Sequence, residues 1–232
     1  MTRGAPAILE VRGLTKTFTR GLEPVHALRD ARLSVGEEEV VALVGPSGSG
    51  KTTLLMTLLG WDLADTGDVL WGGRALPHLG ELGWDEVAVV GQRLGLVGEL
   101  TVEDNVELPL MIAGVPEGDR AELVENALES LDLTEIADHY PAEASLGEQQ
   151  RTAMARSLIR RPKLLLADEP TSHQDAARKR LVYARLAEHK ERGGGCLVAT
   201  HDPDTLAFCD RVVRIESGAI QQDATVAGGE RP

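Results

Sequence analysis

Cysteine is nearly absent from this 232-residue chain, which has only Cys196 and Cys209. The two fit no metal-ligand spacing, so they read as reduced packing residues of a cytosolic chain and not as a disulfide framework or a thiolate metal site. Long apolar runs are missing too. No stretch approaches the roughly 18 residues that span a bilayer, and Met1 to Ala7 lacks the apolar centre of a signal peptide, so any membrane role is expected to come through a partner. Basic charge is the third scarcity: 24 Lys and Arg stand against 37 Asp and Glu, a net charge of −13. That balance argues against a general nucleic-acid or anionic-lipid surface as the main role. Aromatics make up only 3% of the chain. The length is enough for one large domain, or a core with a lobe, to bury its own core.

Against these absences stands one dense feature, Gly45-Pro46-Ser47-Gly48-Ser49-Gly50-Lys51-Thr52-Thr53, which fits G-x-x-x-x-G-K-T. The apolar run Val40 to Val44 precedes it and a helical pattern, Thr52 to Leu59 closed by Gly60, follows. Such a loop binds phosphate because a buried strand delivers it to a helix N-terminus, where unpaired N–H groups and the helix dipole attract anions. Gly45, Gly48 and Gly50 let the backbone wrap the phosphates, Lys51 adds a point charge, and Thr52 offers a hydroxyl to Mg²⁺.

Short apolar alternations at Ile8–Phe18, Ala31–Val35 and Gly67–Trp71 predict a small antiparallel sheet. Continuous apolar runs at 40–44, 87–90, 164–167 and 196–199 suit the centre of a parallel sheet covered on both faces. Between Leu94 and Pro162 the spacing turns helical, over 102–112, 120–131 and 152–159. After Asp168 a helix (176–190), a strand (196–200), a short helix (205–208) and a strand (212–215) return to the core. Gly218 to Pro232 is polar and is expected to be a loosely held tail. The fold expected is α/β: a mostly parallel P-loop NTPase core of the RecA-like kind with a small antiparallel sheet, formed by 1–93 and 163–232. Residues 94–162 form an inserted helical subdomain.

Leu164-Leu165-Leu166-Ala167-Asp168-Glu169 is an apolar strand ending in two carboxylates. Beside a phosphate loop, Asp168 would hold Mg²⁺ with Thr52, and Glu169 would orient and deprotonate the attacking water. Thr200-His201-Asp202 and Gln92 also follow apolar strands, at the edge where parallel sheets place ligands. His201 could touch the γ-phosphate there, and Gln92 could sense metal or water.

Together these segments resemble the nucleotide-binding subunits of ATP-binding-cassette (ABC) transporters, over about Leu9 to Ile220. Ala144-Ser145-Leu146-Gly147-Glu148-Gln149-Gln150-Arg151 is similar to that family's signature, L-S-G-G-Q. The resemblance implies a head-to-tail pair in which Ser145 and the Gly147 N–H meet ATP held by the other chain. It also implies that Phe18 stacks on adenine and that Gln92 is a hinge to the helical lobe. Leu100 to Leu110 resembles the subgroup serving lipoprotein-releasing, macrolide-exporting and cell-division permeases. Read from the residues alone, Ser145 and Glu148 also fit a helix-capping box, and Thr101 an ordinary helix cap.

Three signature positions depart from the family, with Leu146 for Gly, Glu148 for Gln and Ala144 for Leu. Leu146 is expected to cost about 1–3 kcal/mol if its φ is positive, and Glu148 to bring a carboxylate near a triphosphate. In Ser172-His173-Gln174-Asp175, polar residues replace the middle of the family's S-A-L-D. The resemblance implies an ATPase subunit that binds ATP and Mg²⁺ and dimerises with an identical or paralogous chain. It would drive a separately encoded, four-span permease with an outer domain, from the cytoplasmic side of the membrane and without nucleic acid. The departures motivate an alternative: a regulatory ATP-binding module with a degenerate signature and weak hydrolysis. A soluble DNA-maintenance cassette is a third class, disfavoured by the acidic balance.

Overall fold

The computed structural model describes residues 7–21 and 23–225. Its strands are β1 (Ala7–Arg20), β2 (Glu23–Gly36), β3 (Val40–Val44), β4 (Thr66–Trp71), β5 (Arg74–Leu76), β6 (Val87–Val90), β7 (Leu164–Asp168), β8 (Gly195–Ala199), β9 (Arg211–Glu216) and β10 (Ala219–Thr225). Its α-helices are α1 (Lys51–Leu58), α2 (Val102–Ile112), α3 (Glu117–Ser130), α4 (Leu146–Leu158), α5 (Ala176–Glu191) and α6 (Pro203–Phe208). The strands form two sheets, an antiparallel one in the order β2-β1-β4-β5 and a six-stranded one in the order β10-β9-β3-β8-β7-β6. In the larger sheet β9, β3, β8, β7 and β6 run parallel, and β10 alone is antiparallel.

The continuous apolar runs are explained by what covers each face. Successive strand side chains point to opposite sides. Val41 and Leu43 of β3, Leu164 and Leu166 of β7, and Leu197 and Ala199 of β8 therefore join α1 and the antiparallel sheet in one core. Val40, Ala42, Leu165, Ala167, Cys196 and Val198 join α2 to α5 in the other. Every residue of β3, β7 and β8 is buried. Each fully buried Leu or Val contributes about 1.5–3 kcal/mol through the apolar area it removes from water, so a polar residue inside these strands would be costly. Cys196 and Cys209 are buried free thiols, and burial pushes Cys209 up to about 12, where a thiolate does not form at neutral pH. Helices α2 to α4 lie between the neighbouring strands β6 and β7 and cover the second face. No helix of the described residues is long and apolar enough to cross a membrane.

Three expectations need correction. Residues 219–225 are not a loose tail: they pair with β9 through a tight turn at Ser217 (φ 48°) and Gly218 (φ 82°), while 226–232 lie outside the described residues. An edge strand with a solvated face carries polar residues such as Gln221, Gln222 and Asp223, which composition alone cannot tell from a tail. The run 87–90 is at the sheet edge, not its centre, and its middle residues are only half-buried. The antiparallel strands are also longer than their apolar alternations, because β1 and β2 continue as a hairpin out to Arg20 and Glu23.

Candidate functional site

The ends of β3, β7 and β8 lie on one edge of the parallel sheet, and each delivers one part of the site. After β3 the chain turns through Gly45–Gly50 into α1, whose N-cap is Gly50 at φ 109°. A side chain at Gly45 would fall on the Ile215 carbonyl, and one at Gly50 would come within 2.5 Å of the Ala27 carbonyl, so only glycine lets the loop sit this close to its neighbours. Lys51 Nζ donates to the carbonyls of Gly45 (2.7 Å) and Pro46 (3.2 Å), folding the ammonium over the loop. Pro46, Ser47 and Gly48 are exposed, and Thr52 and Thr53 stand half-buried in the first turn of α1. The Ser49 hydroxyl is buried and unpartnered at the base of the loop.

Thr52 Oγ1 donates to Asp168 Oδ2 at 2.7 Å, joining residues 116 positions apart in the chain. Asp168 is 4% exposed. Burial pushes its carboxyl above the ordinary range and Glu169 beside it adds to this, while the Thr52 hydroxyl and Lys51 oppose. A cation there would favour the ionised form. The donor set, one hydroxyl and one carboxylate beside an anion-binding loop, fits a hard cation that completes its shell with phosphate oxygens and water.

Glu169 has φ 51°, a left-handed conformation that costs a non-glycine residue of order 1–3 kcal/mol. Its neighbours determine it. Its N–H donates to the Ala199 carbonyl (2.8 Å), and its carbonyl accepts from Gln150 Nε2 (2.6 Å) and Ser172 Oγ (2.9 Å). The side chain then meets His201 Nδ1 at 2.6 Å and accepts from Thr200 Oγ1 at 3.2 Å. His201 itself is largely exposed, while Glu169 is mostly covered.

The structure thus brings Lys51, Thr52, Asp168, Glu169 and His201 together. Gln92 is exposed just beyond β6. Phe18 is 36% exposed on the β1–β2 hairpin with Lys16 Nζ 5.2 Å from its ring centroid, so it is a surface aromatic and not a core one. Ser145 and Gly147 belong to the N-terminus of α4. There Ser145 caps the helix, Glu148 N–H donates to its Oγ (3.3 Å), and Glu148 Oε2 accepts from the Ser145 N–H and hydroxyl, both at 2.7 Å. Those donations hold the Glu148 carboxyl below the usual carboxylate range. The carboxylate is therefore turned back into the cap. Leu146 is the first helical residue, has no positive φ and is 49% exposed, so the backbone strain expected there is absent.

Some supporting residues were not singled out by sequence reasoning. Asp202 Oδ2 accepts from Lys179 Nζ (2.6 Å), Thr171 Oγ1 (3.2 Å), Thr205 Oγ1 (3.3 Å) and Tyr183 OH (3.3 Å), anchoring the segment that carries His201. Thr171, Lys179 and Tyr183 lie far from Asp202 in the chain, so no local motif marks them. Gln150, read only as part of the signature, holds the Glu169 carbonyl.

The chain is similar to known proteins over most of its length. The sequence pattern of the family described as "ABC transporter" matches residues 28–172. The chain is 38% identical to the lipoprotein-releasing system ATP-binding protein LolD of Geobacter metallireducens, over 94% of this chain and 99% of that one. It is 34% identical to the macrolide export ATP-binding/permease protein MacB of Shigella flexneri, over 97% of this chain but 36% of MacB. Among solved structures, the ATP-binding cassette MJ0796, in a dimeric post-hydrolysis state bound to ADP and Pi, superposes with a TM-score of 0.88 at 30% identity, covering 95% of this chain and all of that one.

Proposed function

The chain belongs to the ABC transporter family as an ATP-binding, ATP-hydrolysing subunit, and from that premise we propose how its residues divide the work. Among the described residues, those of 1–93 and 163–232 form the nucleotide core, with 94–162 as a helical subdomain. Gly45 to Thr53 cradle the triphosphate through backbone N–H groups, and Lys51 exchanges its loop carbonyls for phosphate oxygens. Phe18 offers its exposed face to the adenine. Thr52 and Asp168, together with Gln92, would hold Mg²⁺, which would supply positive charge against that developing on the phosphates.

Glu169 takes the proton of the attacking water, and His201, hydrogen-bonded to it at 2.6 Å, fixes the carboxylate and faces the γ-phosphate. The observation that carries this assignment is the meeting of Thr52 with Asp168 and of Glu169 with His201 at the ends of three adjacent strands. Replacing Glu169 with Gln keeps shape and removes the base, so turnover is expected to fall about 10²–10⁴-fold while ATP affinity stays within a few-fold of the original. A steady-state phosphate-release assay beside a nucleotide titration reads both. Turnover near that of the original chain would remove Glu169 from the role of base.

Two chains then pair head to tail, with Ser145 and Gly147 of each completing the other's site, and the γ-phosphate acts as a removable clamp. A membrane permease docks on the cytoplasmic side. Its seat is an apolar groove of about 460 Å³ lined by Leu59, Trp61, Leu82, Trp84, Leu108 and Ile112. Trp61 and Ile112, 62% and 69% exposed, are large apolar surfaces left in water. LolD and MacB are named for lipoprotein release and macrolide export; a four-span permease with an outer domain is the partner class that this likeness supports.

A further inference from the structure

The loop that follows Glu169 and the first turn of α4 are joined by one side chain, Gln174. Its amide Nε2 donates to the Gly147 carbonyl at 2.7 Å, and its Oε1 accepts from Arg151 Nη1 at 2.8 Å. Gly147 and Arg151 belong to the helix assigned to face the partner's ATP. The loop carrying Gln174 begins at Glu169, the residue assigned to this chain's own ATP.

The join is closely packed. A side chain at Gly147 would come within 2.8 Å of the His173 carbonyl, so helix and loop meet backbone to backbone. Arg151 is 5% exposed, and burial pulls its pKa below the ordinary arginine value, so its guanidinium depends on internal acceptors: Gln174 Oε1 and the carbonyls of Leu131 (2.8 Å) and Asp132 (3.5 Å). Gln150, also 5% exposed, continues the network. It donates to the Glu169 carbonyl at 2.6 Å and the Ser172 hydroxyl at 2.9 Å. A hydrogen-bonded path thus runs from the carbonyl of the assigned base to Gln150, whose Oε1 accepts from Gln174 Nε2 at 3.4 Å, and through Gln174 to the signature glycine.

We infer that Gln174 is a positioning residue that locks the Gly147 turn to the Glu169–Asp175 loop, so that the chain's two nucleotide-facing surfaces move as one body. Only a primary amide of this length fills the post. It donates to a carbonyl and accepts from a guanidinium at once. The leucine of the resembling S-A-L-D pattern does neither, and glutamate keeps the acceptor for Arg151 while setting a carboxylate against the Gly147 carbonyl. Gln174 touches neither nucleotide nor reacting atoms; its effect passes through Gly147 and Glu169. The inference rests on the assignment of Ser145 and Gly147 to the partner's ATP.

The test uses full-length Gln174→Leu and Gln174→Glu. Both are expected to bind a fluorescent ATP analogue within two-fold of the original chain and to lose about ten-fold in kcat. In the nucleotide-free chain, amide hydrogen exchange over 145–151 and 172–175 should accelerate several-fold, with 45–53 unchanged. Gln174→Glu, which keeps the Arg151 partner, guards against a fold lost to an unpaired guanidinium. Turnover within two-fold of the original in both variants, or equal losses of kcat and ATP affinity, would overturn the inference. ATP-driven pairing of a Glu169→Gln chain is scored in parallel: its absence sinks the inference together with the head-to-tail assignment beneath it, whereas pairing with undiminished turnover in the Gln174 variants sinks the inference alone.

Discussion

Glu148 shows how a single side chain takes its role from where it is anchored. By residue type it is an acid in the segment proposed to meet a triphosphate, yet its carboxylate closes a capping box with Ser145 and faces its own helix N-terminus. There it accepts from the Ser145 N–H and hydroxyl and meets the positive end of the helix dipole. Glu148→Ala is expected to cost about 1 kcal/mol, which for a chain of this size lowers Tm by roughly 2–4 °C, and calorimetry reads it directly. An unchanged Tm would mean that the cap is dispensable. The phosphate loop was legible because its parts are contiguous: glycines, lysine and threonine follow one another within eight positions. Gln174 and Asp202 were not, because their partners lie up to 31 residues away and meet them only once α4, α5 and the strand ends are assembled.

At the level of elements, the continuous apolar strands were readable, since burial on both faces leaves no polar position. Strand β10 was not, because its solvated face imitates a tail. The end of α5 carries a further consequence of packing. His189 is 7% exposed against the start of β8, with Nε2 3.2 Å from the Gly195 carbonyl. Burial holds its pKa below the ordinary 6.5; the Gly195 carbonyl opposes that shift and Arg192 adds to it. The unfolded chain therefore takes up a proton near pH 6.5 that the folded chain refuses until lower pH. Stability from this site is complete above about pH 6.5 and is lost on acidification below it, with a slope of at most about 1.36 kcal/mol per pH unit. A His189→Gln chain should lose less Tm than the original between pH 7.5 and 5.5. Parallel Tm profiles would show that His189 does not titrate across folding.

On the scale of the whole molecule, two cores share one parallel sheet, and three strand ends on one edge collect the residues proposed to carry hydrolysis. The α4 helix packs in the second core through Ala153, Met154 and Ala155, and its capped N-terminus at Ser145 is the part proposed to face the partner's nucleotide. Family membership was legible because its motifs mark a nucleotide site, whereas cargo was not, because none of those motifs carries cargo chemistry and the proposed division leaves its recognition to the partner. That division also makes pairing around ATP the central claim. The most direct measurement is the solution mass of the Glu169→Gln chain by light scattering, with and without ATP and Mg²⁺. The account predicts doubling from 24.9 kDa on nucleotide addition, abolished by adding Lys51→Ala. A mass that stays monomeric at saturating ATP would contradict it.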